Sequence, residues 1–411
     1  MNLFLGGRYG QGVSTTMPAR QALLRERNLA TVARAVVDAA EPLSRAGVAA
    51  MTGMTRATVS TLVDHLLAAG IVAELPRATP VGRGRPAVPL VPAARTVVGV
   101  GLEVNVDYLG GRAVDLTGSI VDELVVLDDL HGSEPQDTLA RLGRLARRLM
   151  EQVERAGMRV AGGRLALPGL VDMRTSALRV APNLGWSDLE PLPMMDLPAN
   201  LPVGVANEAK LAALAQIWGV PAGMRTRRTF LYVSGDVGVG AAIVVEDEIF
   251  HGRHGWSGEI GHLTIDPAGP LCRCGSTGCL ERYAGKEALV RAVGLDVDTP
   301  DETLADRLFT ADAAAQATVR GAGAALGQAI ADAVNLLDID QVLLGGSYAG
   351  IAHLLAPAIE AELRERVLGA PWAPVTVGAA PVADHAALTG GALAVLRGVI
   401  DDPVRLIERL G

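Results

Sequence analysis

Every cysteine in this 411-residue chain lies in one short run, Cys272-Arg273-Cys274-Gly275-Ser276-Thr277-Gly278-Cys279. A disulfide framework spreads an even number of cysteines along a chain, so three in one loop point to a metal site in a reducing compartment. Three thiolates need one further donor to complete a tetrahedral zinc set. His262 supplies it, with nine residues between it and Cys272; His251 and His254 are rivals by proximity, and His262 is the nearest. The set His262, Cys272, Cys274, Cys279 is closed, so we expect one structural Zn2+ per chain, with the glycines letting the backbone wrap around it.

The chain is 49% hydrophobic, enough for two or three packed domains. No apolar run has the length of a membrane span. The start, MNLFLGGRYGQG, lacks a basic region, apolar core and cleavage site. The expectation is a cytoplasmic protein.

Charge divides the chain. Residues 1–95 hold 11 Arg, no Lys and 5 acidic residues, for +6; the remainder carries −14. A basic head suits a polyanion and an acidic body does not. Residues 1–27 have little periodicity and read as a flexible lead-in. A helical pattern runs over 28–40, Pro42 interrupts it, and a short helix follows Ser44. Thr52-Gly53-Met54-Thr55 reads as a tight turn, with Thr55 the N-cap of a third helix ended by Gly70. In that helix Val59, Leu62, Val63 and Leu66 recur at buried-face spacing, leaving Thr55, Arg56, Thr58, Ser60 and Thr61 mostly on the other side. A strand at 71–74, the tip Gly82-Arg83-Gly84-Arg85-Pro86 and a return at 87–90 complete a winged helix-turn-helix over 28–90. Arg83 and Arg85, flanked by glycine, suit phosphates or a narrow minor groove.

After a linker at 91–96, strands are expected at 97–103, 107–116 and 119–127, a helix at 135–156, strands at 159–166 and 203–206, and a helix at 208–218. The pattern then restarts: strands at 229–233 and 240–246, helices over 313–337, a strand at 341–344, and helices at 349–367 and 386–399. This is a duplicated α/β arrangement over 96–411 with a cleft between two lobes.

The run Gly258-Glu259-Ile260-Gly261-His262 followed by the cysteine loop and Leu280-Glu281 resembles the signature of the ROK family of bacterial repressors, open reading frames and sugar kinases. The resemblance extends to 167–172, 181–186, Asn207-Glu208-Ala209 and Gly345-Gly346, and residues 28–90 resemble the DNA-binding head of the repressor branch. It implies an actin-like, ribonuclease-H-related double domain. It also implies that a sugar's hydroxyls are held by Asn183, Asn207, Glu259, His262 and Glu281, with Glu208 able to hydrogen-bond a sugar too. Paired amides and carboxylates supply the donors and acceptors a sugar needs.

Two departures separate this chain from the kinases of the family. The Asp-x-Gly-Gly-Thr phosphate loop is matched by Glu103-Val104-Asn105-Val106-Asp107, where Val106 puts a branched side chain in the path of phosphate. The Asn-Asp pair that supplies the general base is Asn207-Glu208, one methylene longer. The later Gly235-Asp236-Val237-Gly238-Val239-Gly240 resembles a second phosphate loop and reads as a vestige. We therefore expect no catalytic residues and a homodimeric or homotetrameric repressor on an inverted-repeat operator, controlled by a sugar or sugar derivative. An active sugar kinase with a fused DNA-binding head, or a regulator controlled by a protein partner, are the rival readings.

Overall fold

The computed structural model describes residues 17–76, 88–220, 228–296, 299 and 301–409. They fall into two compact units, 1–92 with 398–411, and 93–397.

In the first unit a long helix, α1 (Met17–Val37), is followed by β1 (Leu43–Ser44), α2 (Arg45–Thr52), α3 (Arg56–Ala68), β2 (Val72–Glu74) and β3 (Pro89–Pro92). Ser44 caps α2 by accepting from the Gly47 amide, and Gly53 ends it at φ 71°, a backbone state that favours glycine. Thr55 caps α3 through the Thr58 amide. Val59, Leu62, Val63 and Leu66 of α3 are buried, as are Val32 and Val36 of α1, and β3 lies antiparallel between β1 and β2. Two expectations are corrected. Residues 17–27 are helical, not a flexible lead-in. The chain end, including the short helix Pro403–Glu408, belongs to this unit, with Arg34 Nε 2.6 Å from Asp401 Oδ1. The tip bearing Arg83 and Arg85 lies outside the described residues.

The second unit repeats one topology. Its first sheet has the order β11-β7-β4-β5-β6. β4 (Val97–Val104), β5 (Tyr108–Asp115) and β6 (Ile120–Leu127) form an antiparallel meander; β7 (Arg159–Leu167) runs parallel to β4, and β11 (Val203–Asn207) parallel to β7. The second sheet has the order β14-β13-β12-β15-β16. There β12 (Phe230–Gly235), β13 (Val239–Val245) and β14 (Glu248–Ile249) make the meander, and β15 (Gln341–Gly346) and β16 (Thr376–Ala379) continue in parallel on the other side of β12. In each half the first strand is central, the hairpin partners lie to one side and the crossover strands to the other.

A small sheet of β8 (Leu170–Val171), β9 (Leu178–Ala181) and β10 (Trp186–Leu189) interrupts the first half. The helices of this unit are α4 (Pro135–Arg155), α5 (Glu208–Trp218), α6 (Glu281–Ala284), α7 (Lys286–Ala292), α8 (Asp301–Phe309), α9 (Ala313–Leu337), α10 (Ser347–Arg366) and α11 (Ala386–Asp401), whose last turn passes into the first unit, where α12 (Pro403–Glu408) lies. Helix α4 buries Leu139, Leu142 and Leu149 with Val100, Leu102 and Leu165 of the first sheet. Helices α9 and α10 bury Leu326, Ile330 and Leu355 with Leu231, Val233 and Val342 of the second. Glycine at 99 and 101 lets α11 lie directly on β4, because a Cβ at either position would strike the carbonyl of Ala392 or Leu388. Among the described residues no helix is long and apolar enough to cross a membrane.

Candidate metal centre and ligand pocket

The cysteine loop is shaped by backbone contacts that need no metal. Short bridges pair Thr264 with Cys279 and Leu271 with Thr277, and the Cys272 amide donates to Ser276 O at 2.8 Å. Gly275 and Gly278 adopt φ of 91° and 70°, and a Cβ on Gly278 would collide with Asp266 O. The ligand atoms of His262, Cys272, Cys274 and Cys279 all lie within 4.8 Å of one another. Cys274 Sγ and Cys279 Sγ are 3.7 Å apart. That is far beyond a disulfide bond, and close to the roughly 3.8 Å between two thiolates bound tetrahedrally at about 2.3 Å from one zinc. The His262 Nδ1 is shielded from solvent and has no hydrogen-bond partner. The donor chemistry and spacing therefore fit a tetrahedral metal. His251 and His254 do not join this group, and the ring of His254 lies 4.9 Å from that of Trp256.

Next to it is a small cavity of about 60 Å³ into which Asn183, Asn207, Glu208, Glu259, His262 and Glu281 all project. All six sequence candidates thus meet, although they come from both halves of the duplicated unit. Asn183 follows β9, in a turn closed by the Leu184 amide on Ala181 O. Asn207 ends β11 and caps α5: its Oδ1 accepts from the Lys210 amide at 3.2 Å, and its Nδ2 donates to Gly169 O at 3.1 Å. Those two bonds fix the amide and leave one N–H and one lone pair for a ligand. Glu259 precedes the short turn Ile260–His262, and Glu281 opens α6 directly after the cysteine loop. A side chain on Gly238 would overlap the Glu281 carboxylate and the Asn183 amide, so that glycine lets the two halves approach. Metal loop and pocket are therefore one construction, with His262 facing both and Cys272 Sγ 4.0 Å from Glu281 Oε1.

Three carboxyls in and beside the pocket, Glu208, Glu259 and Glu103, are costly to ionise. Burial pushes Glu208 well above the usual range, and Asp236, Glu103, Glu259 and Glu281 push it further. Burial also raises Glu259, with His262 and Lys210 opposing. Glu103, in the first phosphate-type loop, is pushed up to about 7 by burial, against hydrogen bonds from Tyr108 and Asn105.

The first phosphate-type loop is held by its own contacts, and the second carries a carboxylate. Val106 is buried, and its carbonyl accepts from the Leu130 amide at 2.8 Å. Asn105 Oδ1 takes the Asp107 amide, and the Asp107 carboxylate lies 3.0 Å from Lys286 Nζ. In the second loop Asp236 contributes a carboxylate to both the small cavity and a larger neighbouring one of about 1090 Å³. The sequence reads this loop as a vestigial phosphate loop and assigns Asp236 no role; its carboxylate lines both cavities. Sequence reasoning also missed Arg273, whose Nη1 reaches Asn183 Oδ1 at 3.3 Å, and buried Lys210, whose Nζ donates to Gly255 O and ties down the loop ahead of Glu259.

On α3, Thr55, Arg56, Thr58 and Thr61 are exposed and Ser60 is half-buried. The hydroxyls of Thr55 and Thr58 contact each other at 2.9 Å, and Thr61 Oγ1 donates to Ala57 O, so Arg56 is the long side chain of this face.

Two half-domains of one topology around a cleft with amide and carboxylate side chains define a sugar-kinase-like α/β protein. The ROK family model matches residues 100–397, most of the chain, and the chain belongs to the ROK family. It is 32% identical over 253 residues to the xylose repressor of Bacillus subtilis (strain 168), covering 61% of this chain and 64% of that repressor, less than two thirds of its length. The crystal structure of a ROK family transcriptional regulator, a homologue of the Escherichia coli Mlc protein, superposes at a TM-score of 0.74 with 25% identity, covering 94% of this chain and 99% of that one. A ROK family glucokinase from Streptomyces griseus, in complex with glucose and AMPPNP, shares the fold at a TM-score of 0.61 and 24% identity, over 72% of this chain and 98% of that one.

Proposed function

We propose that this protein is a sugar-responsive transcriptional repressor that has lost kinase activity. The observation that carries the reading is the pairing, in one cleft, of six converging sugar-type ligands with two phosphate-type loops occupied by Val106 and Asp236. A sugar is bound by Asn183, Asn207, Glu208, Glu259, His262 and Glu281, while the site that would deliver a phosphoryl group is blocked and anionic. Glu208, one methylene longer than the family's base, serves as a hydrogen-bonding group. A protonated carboxyl there donates to a sugar oxygen, which suits its raised pKa.

The zinc held by His262, Cys272, Cys274 and Cys279 supplies structure, not chemistry, because a closed Cys₃His set leaves no open coordination position. It fixes the loop from which Glu281 projects, so the metal shapes the pocket. The first unit is a winged helix-turn-helix. Its α3 enters the major groove with Arg56 foremost, and Arg83 and Arg85 reach phosphates or the minor groove. Two or four copies place paired heads on an inverted repeat, and the effector alters the spacing of those heads. The relatives named as repressors support regulation, and the B. subtilis relative supports a pentose among the effectors to be tried.

The experiment is genome-wide mapping of bound DNA, followed by titration of the recovered operator complex with D-xylose, D-glucose and N-acetyl-D-glucosamine. Release by one sugar supports the reading; operator binding indifferent to every sugar, with a captured protein partner, replaces it. A coupled ATP assay on the same sugars is expected to show no turnover. Rates in the common enzyme range of about 1–1000 per second would establish a kinase instead.

A further inference from the structure

We propose that the larger cavity of the cleft is a second ligand site, distinct in chemistry from the sugar pocket, and that it takes an aliphatic polyamine.

The cavity has a volume of about 1090 Å³, and its walls carry nine carboxylates against Lys286, His131 and His385. Four of the nine are paired: Asp107 with Lys286, Asp128 with Arg141, Asp129 with His131, and Asp384 with Arg112. Glu103, Glu208, Glu302 and Asp306 make no ion pair among the described residues. Two shielded polar atoms on the wall also have no hydrogen-bond partner. They are Glu103 Oε2, on a residue 2% exposed, and Ser347 Oγ, on a residue 6% exposed. A buried polar atom without a partner is costly, and two on one cavity wall mark where a ligand's donors are received.

The sign and spacing of the charges select the ligand. A nucleotide or other polyanion would meet like charge at Asp236, Glu302 and Asp306. A metal ion requires ligand atoms that converge within a few ångströms. Among the described residues the only group of three or more His, Cys, Asp or Glu side chains that converges in that way is His262 with the three cysteines. The carboxylates of the large cavity form no such group: Glu103, Glu208 and Asp236 face one another, while Glu302 and Asp306 lie apart in sequence on α8. Spread anionic sites are matched by a cation whose charges are themselves spread along a chain. The wall between them is apolar, with Ala209, Ala212, Ala305 and Ala349, and suits methylene segments. Each terminal ammonium brings three N–H donors, each internal one two, and none an acceptor, which meets both unpartnered atoms.

The test is calorimetric titration of the full-length protein with spermidine, at about 0.15 M ionic strength. Mg2+ alone and Mg-ATP are run in parallel. The expected result is one saturable spermidine site per chain. Glu103→Gln should weaken it at least about tenfold, as removing a charged hydrogen-bond partner does, and Ser347→Ala about threefold. Should Glu103→Gln fold poorly, Glu302→Gln combined with Asp306→Asn on the exposed side of α8 should still weaken binding about threefold. The proposal is overturned if spermidine does not bind. It is equally overturned if several molecules bind with none of these substitutions mattering, the sign of diffuse attraction to an acidic protein, or if Mg2+ or Mg-ATP takes the site instead. Of the six residues assigned to the sugar only Glu208 also lines this cavity, so failure here leaves the sugar reading standing.

Discussion

At the scale of single residues, the pocket is a balance between convergence and charge. Cys274 is the exposed member of the proposed zinc set, so its thiol is the one whose loss least disturbs packing. Cys274→Ser should cut bound zinc from about one per chain to well below that, read by elemental analysis. It should weaken sugar binding through the loop that carries Glu281. Zinc-free wild-type protein with all three thiols titratable would defeat the assignment. Glu103 offers a test of electrostatics. Its folded value near 7 exceeds the value of about 4.3 expected in an unfolded chain. The folded state therefore binds the extra proton between those values. The sign follows: stability falls as pH rises from about 4.3 to about 7 and is level beyond, by an amount of order 3 kcal/mol. Asp236 adds to this cost, while Tyr108, Asn105 and Arg112 oppose it. Glu103→Gln removes the titration. Its melting temperature should exceed that of the wild type at pH 8 and approach it at pH 5, in the absence of ligand. An unchanged pH profile would show that Glu103 stays ionised throughout.

At the scale of elements, what could be read from the chain was what local chemistry decides. The cysteine spacing announced the cluster with His262, the Thr55 cap and the Val59–Leu66 stripe announced α3, and the strand-rich pattern that restarts near residue 229 announced a duplication. What escaped was decided elsewhere in the molecule. Residues 23–27 of α1 are all exposed, Leu23 and Leu24 more than half so, and periodicity had no buried face to report there; helix-forming Leu, Arg and Glu carry that turn. Helix α12 is six residues long, too short to show a face, and its place in the first unit comes from distant contacts. The small β8–β10 sheet was invisible because strands of two to four residues carry no pattern. For α3 and the tip after β2, binding to bases and binding to phosphates have different signatures. Arg56→Ala should lose about 1–3 kcal/mol of discrimination between the operator and a scrambled sequence. Arg83→Ala with Arg85→Ala should weaken binding to both and flatten the salt dependence, since each phosphate left without its arginine takes about one counterion out of the slope. Competition binding at two salt concentrations separates the two outcomes, and equal behaviour of both variants would remove α3 from the major groove.

At the scale of the whole molecule, the chain closes on itself: a unit begun by residues 17–92 is completed by residues 398–411. Leu406 and Pro403 of α12 are buried in that unit, and Arg34 of α1 is paired with Asp401. The exposed ion pair contributes little, about 0–1 kcal/mol. The buried leucine contributes more, since removing such a side chain typically costs about 2–5 kcal/mol. A small basic unit has few such residues to spare, so loss of the last turns should loosen α1 and, through it, the packing beneath α3. The expectation is specific. Ending the chain at residue 401 should lower operator affinity at least about tenfold, the equivalent of roughly 1.4 kcal/mol. Zinc content and sugar binding, which we place within residues 93–397, should be unchanged. Leu406→Ala should move operator affinity in the same direction by less, and Arg34→Ala hardly at all. Gel-shift titration alongside calorimetry with the releasing sugar reads both properties on one preparation. If truncation leaves operator binding intact, the C-terminal helix is an accessory and the head stands on residues 17–92 alone; if it abolishes sugar binding as well, the two units are not separable in function.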